Sequence, residues 1–367
     1  MGEQIRIGLI GAGQIGTYHL QKYAKIPDAK IVAVADVNEA AARKAADEFK
    51  IPNVFTDFKQ LLKMSEVVAV DVCLHNNLHA PVTIAALKAG KNVYCEKPMA
   101  GSYIDAKAMR DEAQRTGKKL HIQLSTLYSP EHKAAKRLIE EGQLGKVYYA
   151  RSFGFRRRGR PYVDGYGTPP FVQKKAAGGG ALFDMGVYHV AQVLHLLGNP
   201  AVDTVSGATH QELAMYDERR KTSGYDVEEL GLGFARLAGG VTLAIEESWA
   251  VHYDGSESSK ILGSKGGLKL APFTFFSTAG DVETVSTVDL GGADFRWHAR
   301  NSDYAGYDGS QEHWIAALQG RVPLLDTAGV ALNVSLISEG IYRSQEQRRE
   351  LTSAEVLEAS KSTAIQA

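Results

Sequence analysis

From Ile5 onward the chain alternates short apolar runs with longer stretches whose apolar positions recur at helical spacing. IRIGLI at 5–10 leads into a glycine-rich turn and then Ile15, His19 and Tyr23 at steps of four, which predicts strand, turn and helix in order. KIVAVA (30–35), VVAVDVCLH (67–75), KNVYCEKP (91–98) and KLHIQLS (119–125) are further β-rich runs, separated by helical segments that include 79–89 and 103–116. This alternation predicts a parallel, doubly wound sheet, with any ligand beyond the carboxyl ends of its strands. After a helical link, SPEHKAAKRLIEEG at 129–142, the period changes to two in KVYYARSFGFRRR at 146–158. Further strands are expected at 203–209, 228–237, 240–249, 259–263 and 282–288. The prediction is an α/β unit over 1–125 and an α+β unit over 126–367, the second built on a large, mostly antiparallel open sheet with helices on one face. Leu230, Leu232, Phe234, Leu243, Ile245 and Trp249 give that sheet apolar residues on both faces, so a homo-oligomer, dimer or tetramer, formed through it is expected.

Composition narrows the partners. Basic and acidic residues balance at 42 each, which gives no net field to recruit nucleic acid or an anionic membrane and suits a small neutral substrate. The only two cysteines, Cys73 and Cys95, lie in predicted strands and form neither a disulfide framework nor a metal site, as expected for a reducing cytoplasm. No apolar run approaches the roughly 18–20 residues that span a bilayer, and the first strand at Ile5 leaves no room for a signal peptide.

The first turn reads Gly11-x-Gly13-x-x-Gly16, with Gln14 and Ile15 opening the helix. Alone it is a weak signal, but it sits between a strand and a helix, and Asp36 ends the second strand 20 residues beyond Gly16. That is a Rossmann dinucleotide site: one glycine for the turn, one for close approach of backbone to pyrophosphate, one for helix packing, and an acid for the ribose hydroxyls. A carboxylate there repels a 2′-phosphate and no arginine follows within six residues, so NAD is expected. His75, Asn76, His79, Glu96 and Lys97, at the ends of later strands, are expected to face the same crevice.

A second constellation is GGGALFDMGVYHVAQ at 178–192. At about 100° per residue Asp184 and Tyr188 share a helical face, while His189 points elsewhere. Taken in order, GAGQIG at 11–16, the Asn76-x-x-His79 turn, Glu96-Lys97-Pro98 and this segment resemble the glucose–fructose oxidoreductase, inositol dehydrogenase and MocA-like sugar dehydrogenases, as does VALNVSLISEGIYRSQEQRREL at 330–351. The resemblance implies that Lys97 reaches nicotinamide and substrate, and that Asp184 and Tyr188 stand beside the reacting hydroxyl as in the family's tyrosine branch. This chain departs from it in carrying His189 directly after the tyrosine, STLYSP at 125–130, and Ala191 three residues beyond Tyr188.

A base for alcohol oxidation works best with a pKa near the operating pH. Tyrosine, at about 10, needs a nearby cation such as Lys97, whereas histidine, at about 6.5, needs none. Helical alignment favours Tyr188; His189 stands as a second candidate, and the third alternative is no essential base, with Lys97 or water shuttling the proton. The loop FRRRGRPYVDGYGTPPFVQKK at 155–175 offers Arg156, Arg158, Tyr162 and Asp164 to substrate hydroxyls, and the pairs Trp249–His252 and Trp297–His298 offer stacking, while His195 reads as structural. The expected function is NAD-dependent oxidation of a secondary hydroxyl on a sugar, glycoside or cyclitol. The alternatives are glycoside cleavage through transient oxidation by bound NAD, and a non-catalytic NAD-binding sensor.

Overall fold

The computed structural model describes residues 4–254 and 256–366. Six parallel strands, β1 (Ile5–Ile10), β2 (Ala29–Ala35), β3 (Asn53–Phe55), β4 (Ala69–Val72), β5 (Asn92–Cys95) and β6 (Leu120–Ile122), form a sheet of order β3-β2-β1-β4-β5-β6. Order reverses between β1 and β4, so the loops leaving their carboxyl ends, from Gly11 and from Cys73, open a crevice there. Some of the helices between strands start at a capping side chain: Asn38 accepts from Ala41 N, and Ser102 accepts from Asp105 N.

The second sheet comprises β7 (Val147–Phe155), β8 (Val202–His210), β9 (Leu230–Leu237), β10 (Val241–Ser248), β11 (Lys260–Gly263), β12 (Gly266–Leu270), β13 (Phe273–Ala279), β14 (Val282–Thr287) and β15 (Leu351–Thr352). Their order is β14-β13-β12-β11-β7-β10-β9-β8-β15, and every described pairing is antiparallel except β7 with β10. The inner face carries Ala150, Leu243 and Ile245, which are buried in one core with Val190 and Leu194 of the helix Val187–Leu196 and Val334 and Ile341 of the helix Thr327–Gln347. On the other side Tyr148, Phe234, Phe276 and Val285 are exposed.

One helix of the later half belongs to the first sheet. Ser310–Leu318 buries Trp314 and Ile315 against Ile7, Tyr23 and Tyr94, and Tyr94 Oη donates to Ser310 Oγ at 2.8 Å. Among the described residues no helix is long and apolar enough to cross a membrane.

Candidate functional site

The glycine turn is shaped as a cradle for a large anion. Gly11 has φ +99, and a Cβ there would overlap the Cys73 carbonyl; one on Gly16 would overlap the Gly11 carbonyl. Above Gly13 nothing lies within 4 Å, and Gly13, Gln14 and Ile15 are exposed at the start of the helix Gln14–Tyr23. Backbone can therefore approach a pyrophosphate at the positive end of that helix. Asp36 directly follows β2, with Oδ2 accepting from Ala12 N at 2.7 Å and Oδ1 from Asn38 N at 2.8 Å, which fixes its carboxylate beside the turn. The residues present fit a dinucleotide.

The other crevice candidates divide by direction. His75 is exposed at the N-cap of the helix Asn76–Lys88, while Asn76 Nδ2 donates to Ala177 O at 2.7 Å and ties that helix to the glycines of the second motif. His79 and Glu96 face inward instead of lining the crevice. His79 is buried between the carbonyls of Pro98 and Leu74, at 2.8 and 3.0 Å. Glu96 Oε1 meets buried His19 Nε2 at 2.8 Å, and its Oε2 accepts from Lys97 N at 2.9 Å. His19 Nδ1 in turn meets Asp71 Oδ2 at 2.9 Å. Burial pulls the imidazole down, but Asp71 and Cys73 lift it well above its ordinary value, so a charged His19 joins two carboxylates beneath the Lys97 loop. His19, Asp71 and Cys73 are bonded directly to one another at 2.9–3.3 Å.

Lys97 is the centre of the site. Its Nζ donates to Asp184 Oδ1 at 2.7 Å and Asp184 O at 2.9 Å, and lies 4.8 Å from the centroid of the Tyr188 ring. Asp184 Oδ2 accepts from the indole N–H of buried Trp249 at 3.0 Å and stands 4.0 Å from Arg156 Nη1. Burial pushes the Asp184 carboxyl up, but Lys97, the Trp249 N–H and Arg156 more than offset this and hold it below its ordinary value. Burial likewise pulls Lys97 down, while Asp184, Tyr188 and Glu96 lift it above its usual range. The pair is ionic and close to neutral in sum. That neutrality is felt by Tyr188: burial pushes its phenol up to about 12, with Lys97 pulling back and Glu96 and Asp184 opposing Lys97. Its hydroxyl donates to Gln123 Oε1 at 3.3 Å, and its carbonyl accepts from Thr126 Oγ1 at 3.1 Å.

The backbone that carries these groups is a π-helical turn, Leu182–Gly186, running into the helix Val187–Leu196. Its first N–H groups are held by buried Glu228, which accepts from Gly180 N at 2.8 Å and Leu182 N at 2.9 Å and also contacts Tyr342 Oη. The three glycines serve close packing more than an open crevice, because Cβ atoms at 178, 179 and 180 would overlap Gly101, the Tyr342 hydroxyl and the Glu228 carbonyl. His189 turns to the second sheet, where Nδ1 meets Glu247 Oε2 at 2.8 Å.

Of the loop candidates, Arg156 reaches Asp184. Arg158 instead bonds Asp164 at 2.5 Å and, with Tyr162, lines a separate cavity of about 340 Å³ with Tyr216 and Arg219. Asp164 is also bound by buried Arg160. Trp297 lies under Arg137 and His298 bonds Asp308 at 2.9 Å, His252 is exposed, and His195 bonds His132 at 2.8 Å.

Residues 5–124 match an oxidoreductase family with an NAD-binding Rossmann fold, and residues 132–269 match that family's C-terminal domain. The chain belongs to the Gfo/Idh/MocA family. Its cofactor is NAD, and it is an oxidoreductase. Over 355 residues it is 27% identical to D-glucoside 3-dehydrogenase of Escherichia coli K12, covering 93% of this chain and 95% of that protein. Over 262 residues it is 27% identical to myo-inositol 2-dehydrogenase of Thermotoga maritima, covering 71% and 74% of the two chains. Among solved family folds, GenD2 from gentamicin A biosynthesis, in complex with NAD, superposes with TM-score 0.73 at 26% identity, covering 96% of this chain and 97% of that one. Levoglucosan dehydrogenase with NADH and levoglucosan shares the fold, with TM-score 0.77 at 20% identity over 95% of this chain and 99% of that one.

Proposed function

We propose that this enzyme oxidises a secondary hydroxyl of a sugar, glycoside or cyclitol, with residues 1–125 binding NAD and residues 126–367 binding substrate and a second copy of the chain. The observation that carries this is the Lys97–Asp184 ion pair at 2.7 Å, set over the Tyr188 ring, in a chain whose Gly13 turn is open to a dinucleotide. It matches what a hydroxyl needs when it must be oriented by a charged pair and lose its proton to a neighbour. The relatives' names, a glucoside and an inositol dehydrogenase, support the same substrate class.

NAD, when bound over Gly11–Gly16 and against Asp36, supplies the hydride acceptor. Lys97 holds the reacting hydroxyl and stabilises negative charge on its oxygen. Asp184 keeps Lys97 charged and in place, and Trp249 and Arg156 keep Asp184 in place. Tyr188, in its phenolate form, takes the proton of that hydroxyl and keeps it as a phenol whose Oη donates to Gln123 Oε1. Arg156, the arginine of the loop nearest Asp184, meets another polar group of the substrate.

The exposed apolar outer face of the second sheet supports assembly through that sheet, and two free, buried cysteines suit a reducing cytoplasm. Absorbance at 340 nm over a panel of sugars, methyl glycosides and inositols tests the assignment. Substrate-dependent NADH formation is expected. Cleaved glycoside without an absorbance change would mean transient oxidation, and binding without either would mean a sensor.

A further inference from the structure

Glu247 is a carboxylate in a place where the strand should carry an apolar side chain. Leu243, Ile245, Glu247 and Trp249 alternate onto the inner face of β10 and its continuation, and all four are buried. A buried carboxylate must be paired or hydrogen-bonded. Both Glu247 oxygens are occupied: Oε1 accepts from Ser152 Oγ at 2.7 Å, and Oε2 meets His189 Nδ1 at 2.8 Å.

The neighbouring backbone accommodates that contact. Gly154 on β7 is the register partner of Glu247, and a Cβ there would overlap Nδ1 and Cε1 of His189. The imidazole thus lies flat across a strand that only glycine leaves clear. A carboxylate only accepts, so Nδ1 carries the hydrogen; Glu247 outweighs burial and lifts the imidazole above its ordinary value, and Nε2 offers a hydroxyl its lone pair in the neutral ring or a second N–H in the charged one. Among the described residues Nε2 has no partner, and the side chain is 30% exposed although the carboxylate behind it is sealed. Arg156 joins this group to the centre, standing 4.0 Å from Asp184 Oδ2 while its charge also acts on His189.

We propose that Glu247 is a positioning residue that holds His189 with Nε2 toward the substrate, where it binds a second hydroxyl beside the one held by Lys97, so that the site selects rings carrying vicinal hydroxyls. This rests on the polyol assignment above. It gives His189 a specificity role and leaves the proton transfer at Tyr188.

The test uses the full-length enzyme and its Glu247→Gln and His189→Asn variants, with myo-inositol, methyl β-D-glucopyranoside, and the 2-deoxy and 4-deoxy forms of that glucoside. Glu247→Gln keeps the shape and removes the charge. It is expected to raise KM for the preferred substrate about 10-fold, the worth of one well-placed hydrogen bond, with kcat within about 3-fold. One deoxy analogue should show the same KM penalty in the unaltered enzyme and no further penalty in either variant. Equal penalties on the parent and both deoxy analogues, or a loss confined to kcat, would overturn the proposal. If the unaltered enzyme oxidises none of the panel, the polyol assignment fails. The pairing is then decided by ¹⁵N NMR of His189, where an Nε2–H tautomer, or a spectrum unchanged by Glu247→Gln, rejects it.

Discussion

Lys97→Met keeps a long side chain in the slot between Asp184 and Tyr188 and removes the cation. Lys97 Nζ lies 4.8 Å from the Tyr188 ring, so at an effective dielectric near 20 its charge favours the phenolate by about 3.5 kcal/mol, or about 2.5 pKa units. The phenol, already at about 12, moves further up when that charge is lost. If Tyr188 takes the proton, kcat/KM for sugar oxidation at pH 8 should fall by roughly 10²–10³-fold, and the alkaline rise of the pH profile should move up by about 2 units. The dissociation constant of NAD should change by less than about 3-fold, because the Gly11–Gly16 turn and Asp36 lie on other loops. A double-mutant cycle isolates the coupling: in a Tyr188→Phe background, Lys97→Met should cost at least tenfold less than alone. Lost NAD affinity with turnover intact would refute the assignment and make Lys97 a cofactor ligand. Full additivity with Tyr188→Phe would refute the electrostatic link between the two.

Tyr188→Phe should lower turnover about 10²–10⁴-fold and abolish the alkaline limb, while His189→Asn should act mainly on KM; an active phenylalanine variant beside a dead asparagine variant would make His189 the base. Asp36→Ser combined with Val37→Arg should shift preference toward NADP, read as the ratio of kcat/KM values, because it removes a repelling carboxylate and adds a phosphate partner at an exposed position. Burial holds His195 down at about 4 and His132 well below its usual value, so both are neutral in the fold and take up protons on unfolding. Their contribution is complete above the unfolded value of about 6.5 and is lost as pH falls from there toward 4. The melting temperature should drop across that window, and His195→Gln should flatten the slope.

Much of this was readable along the chain. β1, the glycine turn and Asp36 are contiguous signals, and Asp184 and Tyr188 lie within one helical turn of each other, so local spacing located them. The three-residue strand β3 is too short to show a period. β12 begins with two glycines, and β13 and β14 follow it as an exposed meander, which blurs their alternation. Trp249, Gln123 and Glu228 reach the site from distant strands and loops, so no local pattern pairs them with Asp184, Tyr188 or Gly180. Glu247 did leave a trace, an acid in the inward register after Leu243 and Ile245. The inward direction of His79 and Glu96 had none, because strand ends show position along the sheet but not which way a side chain turns.

The helix Ser310–Leu318 sets the order in which the protein can be made. Tyr94 and Ser310 are separated by 216 positions, and Trp314 closes the underside of the first sheet. At ribosomal speeds of about 5–20 residues per second, the NAD-binding half waits on the order of ten seconds or more after its last strand emerges before that helix is synthesised. Until then Ile7, Tyr23 and Tyr94 lack their apolar cover. A nascent chain released before residue 310 would leave this apolar patch uncovered, a surface of the kind that chaperones and proteases engage.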